Sequence, residues 1–302
     1  MKLTIDELNE DIRIDAYLAE IMQDISRSKI QNLIKNGKCL VNSKEVKPSY
    51  SLKIGDIIEL DEAETLSIQI LPENIPLEVV WENDDMAVIN KPSGMLTHPT
   101  PIETSGTLVN ALLHKYGENL SDINGDMRRG ILHRLDRNTS GLIMIAKNNT
   151  AHEFLVNEMK EHHFTKKYIA VVRGNIEQNE FEINAPIGRH LTQPHKMAIN
   201  GKGAKESLTK VKVLERLDGA TLVELTLVTG RTHQIRVHMS SIGHPVYNDT
   251  LYGFGKVKIK TEEQVLQSYK LEFTPPNHIE KIALEIAPDE KVMKIIKALK
   301  IV

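Results

Sequence analysis

Cysteine, aromatic side chains and long apolar runs are all scarce in this 302-residue sequence. The single cysteine, Cys39, excludes a disulfide framework and any Cys-rich zinc module, and it fits a reducing compartment. No apolar run is long enough to span a bilayer, and the opening residues MKLTIDELNEDIRIDAYL lack the apolar core of a signal peptide. A cytoplasmic protein with no membrane partner is therefore expected. Aromatic residues are only 4% of the chain, too few for a reader that stacks on long single strands. Neither a P-loop nor a dinucleotide fingerprint occurs, so no nucleotide cofactor is expected. The net charge of −3 excludes little, because affinity for a polyanion depends on how charge is distributed. What is present is an ordinary globular composition, with 40% apolar and 26% charged residues.

The charge is unevenly spread. Residues 1–25 hold seven acids and two bases, 26–53 hold seven bases and one acid, and 54–85 hold ten acids and no base. The acidic stretch includes LDEAETLSIQILPENIPLE, with two prolines. It reads as a linker at 63–76 between a small domain, 1–62, and a larger one, 77–302.

In the small domain, Ile14, Tyr17, Leu18, Ile21 and Met22 recur at helical spacing and predict a helix over 13–22. Ser26 suits the N-cap of a second helix, with Ile30, Leu33 and Ile34 as its apolar stripe and Gly37 at its end. Short strands are expected at 39–42 and 56–60, with a turn at Asn42–Lys44. Arg27, Gln31 and Lys35 fall on one face of the second helix, a reasonable surface for RNA phosphates. RIDAYL, SRSKIQNLIKNGKCLVN and SYSLKIGDIIEL, in that order, closely resemble the S4 RNA-binding domain over about 13–60. The resemblance implies that Arg27, Lys29, Gln31, Lys35 and Lys38 meet RNA.

Strand-like segments in the larger domain lie at 77–82, 86–91, 142–147, 167–172, 221–228, 269–273 and 281–287. Helices are expected at 150–160, with Thr150 and Glu153 as a capping box, at 232–242 and at 289–300. Strands outnumber helices without regular alternation. This predicts an α+β fold whose mixed, largely antiparallel sheet is flanked by helices.

Two polar clusters stand out. In RRGILHRLDRNTSGLIMIAK (128–147), Asp136 lies among Arg128, Arg129, Arg134 and Arg137, before a tight turn that feeds an apolar strand. An ionised carboxylate cannot donate a proton, but it can act as nucleophile, base or ion-pair partner. In TGRTHQIRVHMSSIGHPVYNDTLYG (229–253), Arg231, His233, Gln234, Arg236 and His238 crowd a strand-to-helix junction. The five-residue spacing of the two histidines does not suit a metal on a helix, so no metal is expected there. His238 reads as a structural histidine, and Arg236 is suited to an anion, either phosphate or the Asp136 carboxylate. KPSGMLTHP (91–99) reads as a turn with backbone freedom at Gly94. GRHLTQPHKMAINGKGAK (188–205) holds Arg189, Lys196, Lys202 and Lys205 and no acid, and is expected to be a flexible hairpin that grips backbone phosphate.

HRLDRNTSGL (133–142), KPSGMLTHP, KKYIAVVRG (166–174), PIGRH (186–190) with KMAINGKGAKES (196–207), and TGRTHQIRVHMSSIGHPVYND (229–249) occur in the order seen in RluA-type pseudouridine synthases. The chain resembles that family over about 13–290, and with the S4-like segment it looks like the members acting on large-subunit rRNA. Asn248 stands where the family often has Gly. The resemblance implies an isomerase that converts uridine to pseudouridine in structured RNA with no cofactor. It makes Asp136 the catalytic aspartate and Tyr168 the residue that stacks on or beside the target uracil. It makes Arg236 the partner of Asp136, with Arg231 in reserve, and Ile235 a wall of the pocket. Arg134 would displace the target base, and His133 and Thr139 would contribute to substrate binding. The carboxylate could form a covalent intermediate or act as a base on the sugar, and the sequence leaves both routes open. Three other readings stand beside this one: a non-catalytic RNA-binding or ribosome-associated protein, tRNA as the substrate, and a glycosidic or phosphate hydrolase. The hydrolase would need a second carboxylate or a metal cluster, and neither occurs at a convincing spacing. A monomer is the simplest expectation.

Overall fold

A computed structural model of the chain describes residues 2–5, 10–22, 27–60, 70–100, 103–117, 119–193, 195–255, 257–261 and 263–301. It divides into two compact units, Met1–Gln69 and Ile70–Val302.

Among the described residues the first unit has two helices, α1 (Ile14–Ile21) and α2 (Arg27–Lys35), and four strands: β1 (Lys2–Thr4), β2 (Cys39–Val41), β3 (Lys44–Glu45) and β4 (Ile57–Leu60). The strands form an antiparallel sheet in the order β1-β4-β2-β3. The apolar stripes read from the sequence meet here, with Ile14, Leu18, Ile30, Ile34, Val41 and Ile58 in one core. Asn42 and Ser43 take φ of 51° and 61°, which makes the expected turn between β2 and β3. Cys39 lies inside this core, and burial pushes its thiol up to about 11, so it acts as a small apolar side chain. The proposed N-cap, Ser26, lies outside the described residues, as does 61–69 of the acidic stretch. Residues 70–76 lie against the second unit: Ile70 is buried, and the Leu71 carbonyl accepts the Asn110 side-chain amide.

The second unit is built on one large sheet. Its strands are β5 (Glu78–Glu82), β6 (Met86–Lys91), β7 (Ser140–Ala146), β8 (Thr165–Arg173), β9 (Glu180–Asn184), β13 (Leu208–Leu217), β14 (Ala220–Leu227), β15 (Leu266–Phe273) and β16 (Ile282–Glu285). They run in the order β5-β6-β7-β15-β8-β14-β13-β9, with β16 also paired to β15. Among the described residues only β7 and β15 pair in parallel, which gives the mixed, largely antiparallel sheet of an α+β fold. A small separate sheet holds β10 (Ile187–Arg189), β11 (Met197–Ile199) and β12 (Lys202–Lys205). The basic segment 188–205 thus has regular pairing where a flexible loop or hairpin was expected.

The described residues add the α-helices α3 (Leu108–Tyr116), α4 (Asn149–Lys160), α5 (Gln234–Ser241) and α6 (Glu290–Leu299) and a short 3-10 turn at Asp126–Arg128. The capping box expected from Thr150 and Glu153 is displaced. Asn148 caps α4 by accepting the Ala151 N–H, because it alone keeps the extended backbone that a cap needs. Val292, Ile295 and Leu299 of α6 share a core with Ile169 and Val171 of β8. Side chains alternate along a strand, so Tyr168, one residue before Ile169, turns to the other face of the sheet.

Candidate active site

The Asp136 loop is held by side chains from distant parts of the chain. Thr97 Oγ1 donates to the Leu135 carbonyl at 2.8 Å and accepts the Leu135 N–H at 3.3 Å. Ser93 Oγ donates to the Asn138 carbonyl, and so does Lys291 Nζ from α6. The Thr139 N–H closes the turn onto the Asp136 carbonyl at 3.0 Å. Lys91 is fully buried, and its three donors reach the carbonyls of Pro92, Met95 and Arg137. Burial and the nearby Lys291 charge pull Lys91 down to about 7. KPSGMLTHP, which reads from sequence as a simple turn, is thus the cradle of this loop. Gly94 within it takes φ of 84°.

Beyond the loop, Gly141 permits the close approach of β7 and β15. A Cβ there would lie 2.0 Å from the Ser268 carbonyl oxygen. Ser268 donates its hydroxyl to the Leu142 carbonyl at 3.0 Å and stands opposite Tyr168, with its phenol, in the β15–β8 pairing. Burial raises that phenol well above its usual pKa; Ser268 opposes the shift and the Asp136 charge adds to it. Tyr168 therefore remains protonated.

Arg236 lies at the centre. Its Nη1 donates to Asp136 Oδ2 at 2.9 Å, and its Nε and Nη2 donate to Asp249 Oδ2 and Oδ1 at 2.7 and 2.9 Å. Asp249 is buried and also accepts the backbone N–H groups of Leu251 and Tyr252. Burial would raise its carboxyl, but Arg236 and these amides hold it below the usual range. The Tyr252 ring lies over the guanidinium, with 5.0 Å between guanidinium carbon and ring centre. Asn248 takes φ of 58°, the left-handed conformation for which glycine is suited, and this accounts for the residue preference at that turn.

A cavity of 380 Å³ opens above Asp136, within the range of small-molecule sites. Asp136, Tyr168, Arg236, Arg134, Ile235, Arg231, His133 and Thr139 all line it. The structure separates their situations. Arg231 is exposed and donates to the Glu206 carbonyl, so Arg236 is the partner of Asp136. His133 accepts the Met144 N–H, and burial, with Lys166 nearby, pushes it down to about 3, so it is a neutral acceptor. Thr139 is buried, and its hydroxyl accepts from Gln264, so it braces the turn. His238 is structural, with partners Thr209 and the Ala185 carbonyl. Sequence reading did not single out Asp249, Tyr252, Lys166 or Thr97. Asp249 is a lone acid 13 residues from Arg236 with no periodic signal, and only the fold joins them.

In the first unit, Asp15 is fully buried and gathers two of the expected surface groups, Arg27 and Gln31, together with Arg13. Arg13, Arg27 and Gln31 all donate to its carboxylate, at 2.6–3.2 Å. Gln31, half-buried, is thus a partner of Asp15. Arg27 keeps 52% of its side chain exposed. Lys35 is exposed, and Lys29 and Lys38 are half-buried. In the small sheet Arg189 and Lys202 are exposed and Lys196 is half-buried.

Among the described residues, no group of three or more His, Cys, Asp or Glu side chains is arranged to hold a metal ion, and no helix is long and apolar enough to cross a membrane.

The RNA pseudouridylate synthase family model matches residues 85–241, and the S4 domain model matches residues 12–58. An uncharacterized RNA pseudouridine synthase of Bacillus subtilis is 41% identical over 298 residues, covering 99% of this chain and 97% of the relative. The ribosomal large subunit pseudouridine synthase D of Zymomonas mobilis is 39% identical, covering 85% of this chain and 80% of the relative. Among solved structures, human RNA pseudouridylate synthase domain containing 1 superposes with a TM-score of 0.57 at 26% identity, over 75% of this chain and 95% of its own. With both domain models in register and a near full-length relative, the chain belongs to the RNA pseudouridine synthase family, isomerases of uridine in RNA, and carries an S4 domain at its N-terminal end.

Proposed function

We propose that Asp136 carries the chemistry on a uridine extruded from structured RNA, and that the RNA is large-subunit rRNA. The observation that carries this reading is the Asp136 carboxylate at the wall of the cavity, held at 2.9 Å by a buried arginine that a second carboxylate anchors. The isomerisation breaks the N1–C1′ bond, turns the uracil and joins C5 to C1′. The proton lost from C5 is balanced by one gained at N1, so no redox partner or group donor is needed. Either route open to the carboxylate, addition or base action, requires it unprotonated and fixed in direction, which Arg236 supplies.

Flipping a base out of its stack costs a few kcal/mol. Tyr168 and Ile235 offer a flat and an apolar surface that recover part of this, at roughly 1–3 kcal/mol per stacked base. The exposed Arg134 fills the place left in the RNA. Arg27, Lys29, Lys35 and Lys38 of the first unit, with Arg189, Lys196 and Lys202 of the second, supply the phosphate contacts. The rRNA assignment is supported by the relatives in Zymomonas mobilis and Yersinia pestis, both named as large-subunit enzymes.

The test is Asp136→Asn in the purified protein on deproteinised large-subunit rRNA. Pseudouridine formation is expected to fall by about 10⁴-fold or more while RNA binding persists. Full activity in this variant would remove the assignment. Mapping pseudouridines in rRNA from cells lacking the gene, with and without the wild-type copy, identifies the target.

A further inference from the structure

His233 stands at the N-cap of α5 with φ of 57° and ψ of 21°, a left-handed conformation. This costs a residue with a Cβ about 1 kcal/mol or more, and glycine would adopt it freely. A ring retained at such a position points to a task for the ring.

The hydrogen bonds around it define its proton. His233 Nδ1 lies 2.7 Å from the Tyr252 hydroxyl oxygen. The same oxygen accepts the backbone N–H of Met197, in β11, at 2.8 Å. With its oxygen already accepting, the phenol uses its own O–H toward Nδ1. Nδ1 is then the acceptor, and the neutral ring carries its proton on Nε2. Nε2 lies 3.9 Å from Asp136 Oδ1, on the opposite side of the carboxylate from the oxygen that Arg236 holds. Burial keeps the ring below the usual histidine range; Asp136 and Asp249 oppose this, and Arg236 and Arg134 reinforce it.

We propose that His233 is a positioning residue for Asp136, an Nε2–H donor whose tautomer is fixed by Tyr252 and Met197 and which steadies the carboxylate oxygen that Arg236 leaves free. The proposal rests on the reading of Asp136 as the catalytic group. A separation of 3.9 Å is too long for a hydrogen bond, and closure by about 1 Å when RNA docks makes one. Met197 belongs to the basic segment 187–205, and Lys196 precedes it directly. The chain of bonds therefore runs from a phosphate-gripping element to the aspartate, and RNA docking and readiness of the carboxylate are linked.

Single-turnover pseudouridine formation on deproteinised rRNA, with RNA affinity and 15N NMR of the histidine rings, tests this. His233→Leu removes the donor, and His233→Gln replaces it with an amide N–H. Tyr252→Phe keeps a ring over Arg236 but releases the tautomer. His233→Leu is expected to slow the chemical step by about 10²-fold at unchanged RNA affinity. His233→Gln should recover most of that loss, a rescue that lost packing alone would not give. Tyr252→Phe should slow the step and erase the Nε2–H signature. Equal rates for the Leu and Gln variants, or a wild-type rate for Leu, overturn the proposal. If the Leu variant does not fold, Tyr252→Phe decides, and a wild-type rate with an unchanged ring spectrum counts against it. Activity retained in Asp136→Asn would instead sink the underlying reading, so the two failures are distinguishable.

Discussion

The two units each contain a buried charge cluster, and the two clusters are inverted. In the first unit one carboxylate, Asp15, is gripped by two guanidinium groups that remain half-exposed, at 50% and 52%. In the second, one guanidinium, Arg236, is gripped by two carboxylates and is only 8% exposed. The surplus differs in sign and in direction. The first cluster leaves a positive charge facing solvent, which suits phosphate. The second leaves a negative charge facing a cavity, which suits chemistry on a ribose or a base. In the first the centre alone is sealed from water; in the second Arg236 and Asp249 are both buried and only Asp136 keeps an exposed edge.

Breaking the centre of the second cluster should have the largest effect. Arg236→Gln leaves two carboxylates facing each other without a counter-ion. It is expected to destabilise the second unit by about 3–5 kcal/mol and to lower turnover by about 10³-fold, read from thermal melts and single-turnover assays. Arg236→Lys sharpens the point: a compact ammonium cannot serve both carboxylates in their present planes, and turnover should fall by about 10²-fold with a smaller loss of stability. A lysine variant as active as wild type would show that charge alone, and not the fork, fixes Asp136.

Asp249→Asn releases the far side of Arg236 while leaving Asp136 in place. A fall in turnover of about tenfold is expected, with substrate affinity little changed, because Asp249 does not itself line the cavity. In the first unit, Asp15→Asn should cost about 1–2 kcal/mol, discounted because its arginines are half-exposed, and should leave turnover on short substrates unchanged. The pH dependence has a definite sign. Burial would raise the Asp15 carboxyl, but Arg27, Arg13 and Gln31 hold its folded-state pKa below the unfolded value. The unfolded unit therefore binds the proton more readily. The Asp15 contribution is present above the ordinary carboxylate range and is lost as pH falls from about 4 toward the folded value. Acid titration of the unit by NMR should show this loss, and it should be absent in Asp15→Asn. The smallest effect is on RNA binding: Lys35→Glu should weaken it about evenly across sequences and reduce its salt slope by about 2, since one phosphate contact is lost and one repulsion gained.

The elements that sequence reading located are those whose signal is local. The Ile14, Leu18 and Ile30, Ile34 stripes define α1 and α2 because each helix buries one face against one sheet. Asp136 was legible because a lone acid among arginines before a Gly-Ser turn is unusual in itself. Helix α3 went unread: its buried Leu108, Val109, Ala111 and Leu112 are periodic, but its capping box pairs Thr107 with Asn110 and not with Glu or Gln. Strand β13 also went unread, although Val211 and Val213 alternate with Lys210 and Lys212, because its charged face reads as a solvated loop. Asp249, Tyr252 and Thr97 carry no local signal. Their roles come from pairings across 13 to 55 residues of chain that only the fold brings together.

The cradle beneath Asp136 has one more consequence. Its tethers start at Lys91 and Ser93 and finish with Lys291, whose ammonium reaches both the Ser93 hydroxyl and the Asn138 carbonyl. A chain still emerging from the ribosome cannot assemble this loop until residue 291 has cleared the exit tunnel. Nascent chains arrested short of that lysine should bind RNA without modifying it.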